Sequence, residues 1–372
     1  MTEHIDAGKT DQVQRKKVLP FTIPTASGFL GHAYVLGILQ NDEACDAWIY
    51  TNYVQLYFPK PYLELPDYRL DFYPDLNIIF SSVPWLKYRN ADKKMLKRLN
   101  VDVHDFLQDQ IDHESYIFLM ADEFYNEHSM AYQKKHFMHD TLIFGYDLDQ
   151  RVYHIAMFDM SFQFSLREIG FDELEAGYNS ALDYKDIVLL QRFKASDYKN
   201  LQYGIRAARY DLNLELMADM LEDYLYSRNS DREQRLYKTQ VEEPFGMDIY
   251  NVLLEYFGLL YEEKIHFDVR HVHILWEHKK MMVARIQYLQ RHGIMSSDTP
   301  SLSAFEELEQ RTYIIRNMML KYYVRKDNVI IEKIMNELAD IKEIERVAVE
   351  RLVGELRDAI ALGKTGSVVQ NV

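Results

Sequence analysis

A histidine and an aspartate, His139 and Asp159, stand towards the two ends of a stretch that reads as a β-hairpin. KKHFMHDTLIFGYD covers residues 134–147 and continues as LDQRVYHIAMFD to Asp159. Residues 141–146 form one apolar run, and residues 151–158 form a second, rich in aromatic and β-branched types. Between them Asp147, Leu148, Asp149 and Gln150 make a polar, turn-prone step. A turn centred on Asp149 places His139 opposite Asp159. Directly opposed Cβ atoms lie about 4.5–5.5 Å apart, so an imidazole and a carboxylate would sit side by side. That pair is two-thirds of a nucleophilic triad. The carboxylate fixes the tautomer and stabilises the imidazolium, while the histidine takes a proton from a serine or cysteine. A slip of one residue would send the two side chains to opposite faces. The competing reading is a surface hairpin whose His and Asp merely face water.

A nucleophile would profit from the positive end of a helix. TASGFLGHAYVLGILQ, residues 25–40, offers such a helix, with Thr25 or Ser27 as its cap. Ser27 is therefore one candidate nucleophile and a plain N-cap is its alternative role. Cys45, on a second expected helix over residues 42–56, is the other, against the commoner fate of a small core thiol. Asp122, Glu123, Glu127, His128, His136, His139 and Asp140 are concentrated just before the hairpin. Their spacing matches no standard zinc pattern, so no metal and no cofactor is expected. A metal-dependent hydrolase using His128, His136 and His139 is retained as an alternative. The helix HVHILWEHKKMMVARIQYL, residues 271–289, carries His271, His273, Glu277, His278, Lys279 and Arg285. It reads as a packing helix with a polar outer face, its methionines filling core.

The 372 residues exceed one typical domain and suggest two. Apolar residues make up 48%, which supplies a core, and 14 Gly with 9 Pro argue against a repetitive or disordered chain. The net charge of −15 disfavours nucleic acid and an anionic membrane surface as partners. A single cysteine excludes an internal disulfide and fits a reducing compartment. No apolar stretch follows the first basic residues, and no run reaches the ~18–20 residues of a membrane span. The expectation is a cytoplasmic protein.

The residues that do chemistry must be positioned by an α+β fold. Residues 1–17 are polar and expected to be flexible. Residues 18–180 read as an N-terminal α+β domain with a helix packed on an antiparallel sheet, including a buried strand at residues 116–121. Five prolines between residues 58 and 84 indicate loops and short strands, one at 78–80. From about residue 181 the 3.6-residue period dominates. Helices are expected over 196–209, 212–226, 247–262, 269–291, 303–325 and 328–361, with Ser303 and Glu306 as a capping box. Residues 362–372 are expected to be a flexible tail.

KKHFMHDTLIFGYD followed by MFD, and GFLGHAYVLGIL near the start, resemble the butirosin biosynthesis protein H N-terminal domain family. LWEHKKMMVARIQYL is similar to a C-terminal segment of Bacillus-type relatives. The resemblance spans residues ~20–290. It implies a papain-like fold and transfer of an acyl group from a carrier-protein thioester to an amine in natural-product biosynthesis. Its partners would be an acyl carrier protein, or another carrier-bound substrate, and a small-molecule amine. By the resemblance His139 is the catalytic His and Asp159 the acidic residue that orients it. The family's cysteine belongs in a pattern like C-F-L-x-H-A. Here Gly28-Phe29-Leu30-Gly31-His32-Ala33 stands in that place, leaving Ser27 or Cys45 as nucleophile, or His139 acting directly on the amine. A thioesterase-like enzyme and a non-catalytic binding or scaffold descendant are the related alternatives.

Overall fold

The computed structural model describes residues 15–58, 69–73, 83, 85–184, 186–192, 211–230 and 244–364. In chain order the elements are β1 (Lys16–Val18), α1 (Leu30–Leu39), α2 (Asp46–Asn52), β2 (Leu56–Tyr57), β3 (Asp71–Phe72) and β4 (Leu86–Ala91). They continue with α3 (Lys93–Arg98), α4 (Val103–Asp112), β5 (Ser115–Asp122), β6 (Met138–Asp147), β7 (Val152–Phe158) and β8 (Phe164–Gly170). The last are α5 (Phe171–Ser180), β9 (Ile187–Arg192), α6 (Leu214–Leu225), α7 (Ile249–Tyr261), α8 (Arg270–Arg291), α9 (Pro300–Arg325) and α10 (Asn328–Ala361). The chain is α+β, with an antiparallel sheet.

Two compact units divide it. One contains residues 1–21 and 86–193, the other residues 22–85 and 194–372. The boundary therefore does not fall at residue 180. Residues 22–85, assigned above to the N-terminal domain, belong with the C-terminal helices, and residues 187–192 form a strand of the sheet. The expected helix over 196–209, the strand at 78–80, most of the N-terminal segment and most of the tail lie outside the described residues.

In the first unit the sheet runs β4-β9-β5-β6-β7-β8, and β1 adds to β6. Lys16 and Lys17 thus belong to a strand, not to a flexible end. Helices α4 and α5 pack on β5. Asp102 caps α4 by accepting from the amides of His104 and Asp105, and Leu107 and Ile111 supply its buried stripe. The hairpin of β6 and β7 turns at residues 148–151, where Asp147 Oδ1 accepts from the amides of Asp149 and Gln150. Arg151 takes φ 54° there. Near the turn the register pairs Tyr146 with Tyr153 and Gly145 with His154, then shifts so that Ile143 meets Ile155. Phe144 is the extra residue of a β-bulge. Gly145 is required by β1: a Cβ there would lie 2.8 Å from Lys17 O and 2.9 Å from Val18 Cα.

In the second unit long helices pack through apolar stripes at helical spacing. α9 begins at Thr299, whose side chain accepts from the Ser301 amide, with Pro300 as first residue. This is a stronger start than the Ser303 and Glu306 box, because Pro at the first helical position sacrifices no bonded N–H. α8 departs from the expected polar outer face. Glu277, His278, Lys279 and Arg285 are all buried. Each is compensated: Arg285 donates to Tyr50 O and Tyr53 O, both 2.6 Å, and Lys279 donates to Glu345 at 2.5 Å.

Candidate functional site

Strand β5 ends in two consecutive carboxylates, and each holds a histidine of the returning chain. Asp122 is the last residue of β5, and Glu123 opens a 3-10 turn to Tyr125. The register of β5 and β6 pairs Asp122 with Met138 and Ala121 with His139. Neighbouring pairs in a pleated sheet point to opposite faces, so Met138 and His139 diverge. The carboxyl of Glu123, two residues beyond Ala121, comes to the His139 ring.

His139 Nδ1–H donates to Glu123 Oε1 at 2.8 Å, and Ser129 Oγ donates to Glu123 Oε2 at 2.5 Å. Glu123 is buried while the His139 side chain is 31% exposed. A carboxylate on Nδ1 fixes the tautomer and leaves Nε2 as the basic nitrogen. Phe137 stacks on the ring at 5.1 Å and limits its rotation. The backbone of Glu123 is held too, its amide donating to Phe137 O at 2.9 Å.

Asp122 makes the second pair. Its Oδ2 accepts from His136 Nδ1 at 2.6 Å and from Ser180 Oγ at 2.7 Å. Its Oδ1 accepts from the amides of Phe124 and Phe137. Burial alone would raise its pKa, but these four hydrogen bonds outweigh it and hold the carboxyl below its ordinary value. His128 is engaged elsewhere, donating from Nε2 to Glu168 O at 2.8 Å. Among the described residues no group of three or more His, Cys, Asp or Glu is arranged to hold a metal ion.

Asp159 does not orient His139. The β6–β7 ladder stops at Leu142 and Ala156, and β7 ends at Phe158. Asp159 then enters a tight turn in which its side chain accepts from the amides of Ser161 and Gln163 and from Arg167 Nη2 at 2.8 Å. Burial opposes its ionisation, and these donors still hold its pKa below the ordinary value. The hairpin motif placed Asp159 beside His139, whereas the carboxylate bonded to His139 is that of Glu123. The signal for Glu123 was the run of carboxylates at the end of a predicted strand, two residues beyond Ala121, the position that pairs with His139.

Ser27 and Cys45 lie in the other unit. Ser27 does not cap α1; the N-cap is Phe29. Its amide donates to Glu277 Oε1 at 2.6 Å and its hydroxyl to the same oxygen at 3.2 Å. The Gly28 amide donates to Glu277 Oε2 at 2.9 Å. His273 Nε2 adds a bond of 3.1 Å, and His273 Nδ1 accepts from Arg316 Nε at 2.8 Å. Burial raises the pKa of Glu277, but His273 and the two amides lower it more. A carboxylate so stabilised is a weak base and a poor activator of the Ser27 hydroxyl it accepts from. Cys45 is fully buried in a 3-10 turn.

Two outcomes follow from this cluster. Gly28→Cys is expected to destabilise the fold, not to restore a nucleophile. Its Cβ would lie 2.7 Å from Ile274 Cδ1 and 2.9 Å from both Glu277 Oε2 and His273 Cδ2. Overpacking of this kind costs about 1–3 kcal/mol, and the adjacent carboxylate disfavours a thiolate. Urea unfolding and thiol titration of the variant read both. The second outcome concerns pH. The stability that Glu277 supplies is present above the ordinary glutamate range of about 4.3 and is lost as pH falls through its lower folded value. Glu277→Gln should therefore show a shallower loss of urea midpoint with acid than the parent protein; parallel curves would refute the assignment.

No protein-family model matches the chain, and no curated protein matches it.

Proposed function

We propose that the chain transfers an acyl group from a thioester to an amine by general-base catalysis at His139, without an acyl-enzyme. The reading rests on the His139–Glu123 pair, a partly exposed imidazole held by a buried carboxylate, which is the arrangement a general base needs. The thioester donor, the carrier protein that would bear it and a papain-like ancestry of the fold come from the sequence resemblance and belong to the same proposal. The amine nitrogen attacks the thioester carbonyl while His139 Nε2 takes its proton. The C–N bond forms, the C–S bond breaks, and the departing thiolate recovers the proton from His139. Glu123 keeps Nδ1–H pointed at itself throughout, and Ser129 keeps Glu123 in place. Holding amine and thioester together supplies further rate through effective molarity.

The absence of a covalent step is supported by Glu277. Its carboxylate accepts from the amides of Ser27 and Gly28, where the resemblance would place a cysteine thiolate. The same observation favours one second reading, a descendant that binds an acylated ligand and does not turn it over. An acyl N-acetylcysteamine thioester with a small primary amine separates the two. The expected result is amide formation by the native protein, a loss of at least ~100-fold in His139→Ala, and no mass increase on the intact protein. Retained activity in His139→Ala, or acylated Ser27 or Cys45, would overturn the proposal. Saturable binding without turnover supports the second reading.

A further inference from the structure

We propose that Phe267, Tyr322 and Tyr323 form an aromatic cage for a trimethylammonium group, and that Lys326 fills it as a built-in competitor. Tyr322 and Tyr323 are consecutive residues in the last turn of α9, and Phe267 comes from the short segment between α7 and α8. The Phe267 ring lies 5.0 Å from Tyr323 and 6.4 Å from Tyr322, centroid to centroid. The backbone on both sides of Phe267 is held by one hydroxyl: Tyr256 OH donates to His266 O at 3.1 Å and accepts from the Asp268 amide at 2.6 Å. The chain leaves α9 through Lys326, at φ 52°, whose amide donates to Tyr322 O. Its ammonium lies 5.1 Å from the ring centroid of Tyr323, 5.3 Å from Tyr322 and 5.5 Å from Phe267. One point thus faces three rings, inside the ~6 Å over which an aromatic quadrupole attracts a cation.

The chemistry of the three rings selects the ligand. Lys326 forms no ion pair among the described residues, although the chain has 58 acidic residues against 43 basic ones. Its ammonium rests on rings where carboxylates are in surplus. Lys326 is exposed, its ammonium is strongly hydrated, and its long stem loses rotamer freedom when held in one place. It is therefore a weak occupant. A trimethylammonium group carries the same charge, holds water loosely and presents methyl groups to the rings, the combination that aromatic cages recognise. Glu263 adds negative charge beside the rings: after burial, it is the neighbour that raises the Tyr322 pKa. Tyr323 is 60% exposed, so the cage is open to solvent at that ring. The cage belongs to the helical unit and shares no residue with the His139–Glu123 pair, so it stands independently of the acyl-transfer reading.

Titration of the full chain with choline, followed by broadening of the ligand's methyl proton resonance, tests this. Lys326→Gly removes the competitor without straining the backbone, because φ 52° suits glycine. That variant should bind choline at least about threefold more tightly than the parent protein. The uncharged isostere 3,3-dimethylbutan-1-ol should bind at least about tenfold more weakly than choline. Adding Tyr323→Leu to Lys326→Gly keeps an apolar side chain but removes one ring face, and should weaken choline binding at least about threefold. Because Tyr323 is exposed, the urea midpoint of that double variant should stay close to that of Lys326→Gly. Trimethyllysine carries the same head group as choline on a different stem, and the tighter of the two identifies the source, a free amine or a methylated side chain. No choline binding by Lys326→Gly overturns the cage. Equal binding of choline and its isostere overturns it in favour of a plain apolar patch. Choline binding unaffected by Tyr323→Leu places the ligand elsewhere and overturns it too. Equal affinity in Lys326→Gly and the parent overturns the competitor role of Lys326.

Discussion

Glu345→Ala should cost about 3–5 kcal/mol of stability, the largest loss expected from any single change to the helical unit. Glu345 lies on α10 and is fully buried. Its Oε1 accepts from Lys279 Nζ at 2.5 Å and from Tyr224 OH at 3.0 Å, and its Oε2 accepts from Tyr250 OH. Lys279 also donates to His278 Nδ1 at 3.0 Å, and His278 Nε2–H donates to Val54 O at 2.8 Å. Burial and the neighbouring ammonium push the His278 pKa well below its ordinary value, so the ring is neutral and both its nitrogens are used. Burial lowers the pKa of Lys279, while Glu345 raises it back in part. Removing the carboxylate leaves an ammonium and two hydroxyls buried without their acceptor. The paired change Glu345→Leu with Lys279→Met removes both charges at once, and should lie much closer to the parent protein. Chemical denaturation of the parent, Glu345→Leu, Lys279→Met and the double variant forms a complete cycle. A Glu345→Ala variant within about 1 kcal/mol of the parent would show that the network contributes little.

Glu123→Gln should slow amide formation by roughly 100-fold or more, with KM little changed. Glutamine keeps the size of the side chain but cannot stabilise an imidazolium as a carboxylate does. Its amide also presents a donor that competes for the wrong orientation of the His139 ring. Ser129→Ala, which removes only the bond to Glu123 Oε2, should have a smaller effect in the same direction. The near-ultraviolet spectrum and the urea midpoint of both variants check that the sheet unit is intact. Asp159→Asn is the informative contrast. Asp159 serves its own turn and Arg167, so that variant should change stability more than rate. A rate loss in Asp159→Asn equal to that in Glu123→Gln would restore Asp159 as the orienting acid.

Local pattern determined most elements of this protein. The 3.6-residue period marked α6 through α10 to within a few residues, because amphipathic spacing depends on neighbours three and four positions away. The alternation and turn residues of residues 138–158 marked the hairpin, and the surplus of apolar residues implied a substantial core. The candidate base, His139, was also legible, since it sits at the end of that hairpin.

Partners distant in the chain were decided by tertiary structure. A single bulged residue, Phe144, and the end of β7 at Phe158 took Asp159 away from His139, and a 3-10 turn delivered Glu123 in its place. Neither event has a strong local signature: the bulge lies where β1 packs against Gly145, and Glu123 lies just past the end of β5. The same holds for α8. Its Glu277, Lys279 and Arg285 read as a polar outer face, since burial of a charge is unfavourable by itself. They are inside because groups far along the chain compensate them: the amides of Ser27 and Gly28, the carboxylate of Glu345, and the carbonyls of Tyr50 and Tyr53. Hydrophobic periodicity can state that a helix has a buried face; only the assembled core specifies which charges that face can hold.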